Sequence, residues 1–136
     1  MSKNELIYVA CPYTHQDPKI VQLRYAVSAQ VARQLFKEGL MVFAASMHNS
    51  LIAAMSGVGD QFSKWVEFNH LMIERVDKLI VVTMEGWEQS RGVQDQIDYA
   101  KKLGKHIEMI APPEELVKAV WEQICQAHQK MNSNTA

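Results

Sequence analysis

Apolar residues along this chain fall into two alternating rhythms. Short unbroken runs rich in β-formers, LIYVAC (6–11), LMVFAAS (40–46), DKLIVVTM (77–84) and the weaker HIEMI (106–110), have the length of buried strands. Between them apolar positions recur at three and four, the period of an amphipathic helix. Ile20, Val21, Val27, Val31 and Leu35 mark the first such stripe, opened by Asp17 as a cap with Pro18 in the first helical position and ended at Gly39. A short helix is expected from His48 to Met55. SGVGD then interrupts, and Asp60 caps a longer helix reaching about Val76. Ser90 to Leu103 reads as the next helix, closed by Gly104, and a last one follows Pro112 and Pro113 to about Lys130.

Strands that read as continuous apolar runs, each followed by a helix, predict a parallel sheet with right-handed crossovers. The expected architecture is α/β, a Rossmann- or flavodoxin-like sheet of about four strands with helices on both faces. One domain spans 1–130, and 131–136 is expected to be a disordered tail. In an open sheet of this kind ligands lie beyond the carboxyl ends of the strands. That rule selects three loops: CPYTH after the first strand, SMHNS after the second and EGWEQSRG after the third.

Composition narrows the ligand more than the fold. The 136 residues are 48% hydrophobic and 21% charged, with fourteen Lys and Arg against fifteen Asp and Glu and a formal charge of −1. A nucleic-acid polymer is an unsuitable partner for so balanced a surface, and a small molecule fits better. Cys11 and Cys125 form no CxxC pair, and His15, His70, His106 and His128 lack ligand spacing, so neither a metal nor a cofactor is expected. A dinucleotide-dependent enzyme is disfavoured because no GxGxxG follows the first strand. No apolar stretch is long enough to span a membrane, and the N-terminus lacks the layout of a signal peptide. A cytoplasmic protein with no membrane partner is expected.

Two amides stand where helical phase makes them conspicuous. Trp65, Asn69, Met72 and Val76 share one stripe, and Val93, Gln96, Ile97 and Ala100 share another. Both stripes face the sheet. A buried amide without partners costs about 1–3 kcal/mol, so each should meet a polar group of the protein or a ligand. Asp95 and Asp98, offset by about 100° per residue, fall toward the solvated side.

IYVACPY, WVEFN before VDKLIVV, and GWEQSRGVQDQIDYAKKLGK together resemble the nucleoside 2-deoxyribosyltransferase-like superfamily, particularly short bacterial and phage proteins with a GWExSxGV loop. The resemblance covers about Leu6 to Ile110. Enzymes of that superfamily, the deoxyribosyltransferases and deoxynucleotide N-glycosidases, carry a Ser or Asp, then Gly, then four residues later a Glu that attacks the anomeric carbon. Ser90, Gly92 and Gln96 occupy those places here. A second family carboxylate, eight residues before the Asp that opens the third strand, corresponds to Asn69. Both departures keep shape and remove charge. A neutral amide is a poor nucleophile for a glycosyl-enzyme species and no proton donor for a leaving base.

The resemblance further implies that Tyr8 orients the residue at the nucleophile position, which would let its hydroxyl bond the Gln96 amide. It places Cys11, Pro12 and Tyr13 in the loop that contacts base or phosphate, without the Gly-rich form of the nucleotide hydrolases. Ser90 and Arg91 offer an anion site, His48 a donor to a sugar or base, and Trp87 a stacking platform; a surface arginine, a capping histidine and a lid over the core are the structural alternatives. The implied activity is N-glycosidic bond hydrolysis or deoxyribosyl transfer on a nucleoside or nucleotide, weak or absent in this chain. The alternative is a non-catalytic sensor of a nucleotide-like ligand on the same fold. Either the chain is a relative that binds without turnover, or its carboxylates were exchanged for isosteric amides. Relatives complete their pockets across subunits, so a homo-oligomer is expected, with apolar surface around Met47, Ile52–Met55 and Trp65 as the contact.

Overall fold

A computed structural model describes residues 4–55 and 62–134, with Phe62 and Asn134 described by their backbone alone. Its strands are β1 (Leu6–Ala10), β2 (Met41–Ala44), β3 (Lys78–Val82) and β4 (His106–Ile110). The helices are α1 (Pro18–Lys37), α2 (Ala45–Ala53), α3 (Phe62–Arg75), α4 (Arg91–Lys102) and α5 (Glu114–Asn134). The strands form one parallel sheet in the order β2-β1-β3-β4, an α/β fold of the Rossmann or flavodoxin-like kind.

The two-residue period of the central strands divides the core. Tyr8 and Ala10 of β1, with Leu79 and Val81 of β3, pack against Ile73 and Val76 from the end of α3 and Val93, Ile97 and Ala100 of α4. Ile7, Val9 and Cys11 turn the other way with Ile80 and Val82, onto Val27, Val31 and Leu35 of α1 and toward Val117 of α5. Both central strands are buried on both faces, which is why their sequences do not alternate. At the amino ends of the strands Asp77 Oδ2 accepts from Leu6 N (2.7 Å), and Lys105 Nζ donates to the carbonyls of Glu74 and Val76 at the end of α3.

Two boundaries differ from the sequence expectation. The helix after β2 begins at Ala45 rather than His48, because AAS continues an apolar run yet consists of small residues that a helix accommodates. The expected tail from residue 131 is helical through Asn134: KMNSN contains no Gly or Pro to stop α5, and residues 135–136 lie outside the described residues. SGVGD and the expected Asp60 cap also lie outside them. Among the described residues no helix is long and apolar enough to cross a membrane.

Candidate functional site

The chain order reverses between β1 and β3. The helix after β1 covers one face and the helix after β3 the other, so a crevice opens between their carboxyl ends, where ligands of such folds bind. Tyr8 stands beneath it on the α3 and α4 side. Its side chain is fully buried, its ring lies 5.7 Å from that of Phe43, and its hydroxyl has no hydrogen-bond partner among the described residues. Burial first, and the charge of Asp95 second, hold the phenol well above the ordinary tyrosine range. It is a neutral O–H at any physiological pH.

Gln96 occupies the second turn of α4, between Val93, Ile97 and Ala100, all of which pack in the cluster that contains Tyr8. It is 9% exposed, and its amide makes no hydrogen bond among the described residues. The bond expected between Tyr8 and Gln96 is therefore not formed. Of the two, only the Tyr8 hydroxyl is both fully buried and without a partner among the described residues.

Asn69, on α3, is also buried and accepts a hydrogen bond at Oδ1 from Asn49 Nδ2 (2.9 Å). Asn49 Oδ1 in turn lies 3.0 Å from His48 Nδ1, an arrangement satisfied when that nitrogen carries the hydrogen. The imidazole stacks on Phe68 at 5.1 Å with the ring planes 5° apart. An amide N–H aimed at the oxygen of position 69 serves a carboxylate as well as a carboxamide. Asn49 and Phe68 were not singled out by the sequence; Asn49 adjoins His48 in SMHNS, and only the docking of α2 beside α3 shows where it points.

Asp95 was expected on the solvated side of α4. It is half-buried instead, with Oδ2 2.8 Å from His70 Nε2, and the His70 ring stacks on Tyr99 at 3.8 Å. Helical phase located the sheet-facing stripe correctly but carried no information about the flank where α4 meets α3. Asp98 is exposed.

The other selected residues divide between the two faces. Pro12 is buried and Tyr13 half-buried in the loop after β1, while Cys11 points to the α1 face, where its sulfur lies 3.5 Å from Met84 Sδ and 3.9 Å from the Arg24 carbonyl. Burial pushes its thiol up to about 12, with Arg24 pulling weakly the other way. Trp87 is half-buried against the Tyr8 cluster, and its carbonyl accepts from Gln94 Nε2. Ser90 caps α4, its Oγ accepting from Val93 N at 3.2 Å, and with Arg91 it borders a cleft that opens on the α1 and α5 side. At Gly92 an added Cβ would meet nothing within 4 Å, so protein packing does not require glycine there.

The buried layer thus offers a phenol, two carboxamides and a histidine-supported asparagine. It can donate and accept hydrogen bonds but holds no carboxylate. Asp95 acts on it through its field while engaged with His70. Among the described residues no group of three or more His, Cys, Asp and Glu could hold a metal ion.

A family model described as a domain of unknown function (DUF1937) matches residues 5–112, and the chain belongs to that family. No curated protein matches the sequence.

Proposed function

We propose that this chain, whose family assignment names no activity, is a nucleoside- or nucleotide-binding protein of the N-glycosidase and deoxyribosyltransferase type in which the catalytic step is disabled. The observation that carries this reading is a fully buried Tyr8 hydroxyl with no partner among the described residues, in a core layer flanked by Gln96 of α4, whose amide makes no hydrogen bond there. A buried hydroxyl left unsatisfied costs about 1–3 kcal/mol. A sugar presents hydroxyls, both donors and acceptors, that would satisfy a phenol and an amide together.

The rest of the site supports the same class. Asn69 is held by Asn49 with one amide edge committed, and the His48–Phe68 stack and Trp87 supply flat surfaces suited to a base. Nothing in the layer can form a covalent glycosyl species, because the positions where the resemblance expects carboxylates hold Gln96 and Asn69. Binding without turnover follows. A homo-oligomer belongs to the same reading.

A panel of ribo- and deoxyribonucleosides and their monophosphates, screened by thermal shift and followed by calorimetry, tests it. At least one class should bind saturably, and Tyr8→Phe should leave the free protein as stable or more so while weakening that ligand about tenfold, the worth of one hydrogen bond. Absence of binding across the panel, or equal binding by Tyr8→Phe, contradicts the assignment.

A further inference from the structure

Arg24 is a second polar anomaly, and it lies on the opposite face of the sheet from Gln96. The residue sits on α1 with only 8% of its surface exposed. Nη1 donates to the Thr14 carbonyl (2.6 Å) and Nη2 to the Glu85 carbonyl (3.2 Å), and among the described residues it forms no ion pair. Two neutral acceptors cover two of the five N–H groups of a guanidinium and none of its charge. A cation buried this far without an anion is costly, and such charges are normally paired.

The surroundings are built to hold it there. Gly86 has φ +93°, and a Cβ at that position would collide with the Arg24 guanidinium, so the loop after β3 closes over the arginine only because residue 86 has no side chain. Arg24 also lines a cleft of about 1200 Å³ at the carboxyl ends of β1, β3 and β4. The floor of that cleft is apolar, made by Ile20 and Leu23 of α1 with Val117 and Trp121 of α5. Donors stand at its rim. His15 accepts the Asp17 N–H at Nδ1 (2.9 Å), which leaves Nε2 to carry hydrogen, and Arg91 and Lys118 add further cations to the lining. Glu85 and Glu114 border the cleft too, both on exposed positions.

We propose that the cleft between α1 and α5, which Ser90 and Arg91 border but which lies on the opposite face of the sheet from the Tyr8–Gln96 layer, is a second ligand site that takes an organic anion with a phosphate or carboxylate head on Arg24 and an apolar or aromatic body against Leu23 and Trp121. The volume exceeds the ~300–1,000 Å³ of ordinary ligand pockets, so such a molecule fills part of it. Because Arg24 holds the Glu85 carbonyl five residues before the Ser90 cap of α4, an anion there bears on the loop that leads into Gln96.

The test is an amide and indole NMR titration of the full chain with phenyl phosphate, benzoate, inorganic phosphate and phenol. Saturable shifts at Thr14, Gly86 and the Trp121 indole with phenyl phosphate or benzoate are expected, at least tenfold tighter than with inorganic phosphate or phenol. Preference between the first two tells a phosphate from a carboxylate ligand. Arg24→Met should abolish the response. Should that variant fail to fold, Lys118→Glu, at an exposed position, places a competing carboxylate at the rim and should weaken binding at least tenfold. No saturable shift with any probe, shifts confined to residues around Gln96, equal affinity for phenol or bare phosphate, or binding unchanged in Lys118→Glu would each overturn the proposal.

Discussion

Cys11 shows how much one buried side chain decides. Its thiol is neutral at physiological pH because burial raises its pKa from the ordinary 9.0 to about 12. Above pH 9 the unfolded chain therefore loses a proton that the native chain keeps, and stability falls as pH rises, by about 1.4 kcal/mol per pH unit until the native thiol also ionises near 12. Denaturant melts between pH 8 and 11 check this. Cys11→Ala should start less stable, from the cavity, and then lose stability less steeply than the parent above pH 9; parallel curves would show that the thiol ionises freely. At this scale the sequence marked Asn69 and Gln96 because helical phase is a local property, and Tyr8 through the family resemblance. It did not mark Arg24 as buried, since a charged residue on a helix is read as solvated unless the fold places a loop over it, and the contact that does so comes from Glu85, 61 positions away.

The element that sets the geometry of both candidate sites is α4. Ser90 Oγ satisfies the Val93 N–H in its first turn, and Gln96 projects from the turn that follows. Ser90→Ala should cost about 1 kcal/mol in a chemical melt, and Ser90→Asp should recover most of it, because aspartate caps as well and favours the positive end of the helix dipole. An alanine variant as stable as the parent would mean that the cap is not what fixes this turn. The strands were legible because β1 and β3 are buried on both faces, so apart from Lys78 at the start of β3 their sequences form unbroken β-forming runs. The helix–helix flank was not. His70 and Asp95 meet because α3 and α4 pack side by side, and no period within either helix encodes that contact. The start of α2 was equally hidden, since AAS suits a strand end and a helix start alike.

Across the whole molecule the apolar surface is uneven. Leu51 is 66% exposed and Met55 62%, near and just beyond the end of α2, and Leu71, on the side of α3 away from Asn69, is 45% exposed. Burial of the part of these side chains that is still exposed would stabilise each by about 1–2 kcal/mol. Light scattering at working concentration should give a dimer or larger, and Leu51→Glu should shift it toward monomer; a parent that is monomeric throughout would contradict shared-pocket assembly. The central claim concerns chemistry. If Gln96 and Asn69 stand where a nucleophile and a proton donor are required, restoring the charge should restore the reaction with little change to the fold, since Asn49 already directs a donor at position 69. The direct measurement is release of free base, followed by chromatography, from nucleosides and their monophosphates by the parent chain and by Gln96→Glu with Asn69→Asp. The account predicts little or no release by the parent and an increase of several orders of magnitude in the double variant. Robust release by the parent, or an inert double variant that still binds the ligand, would contradict it.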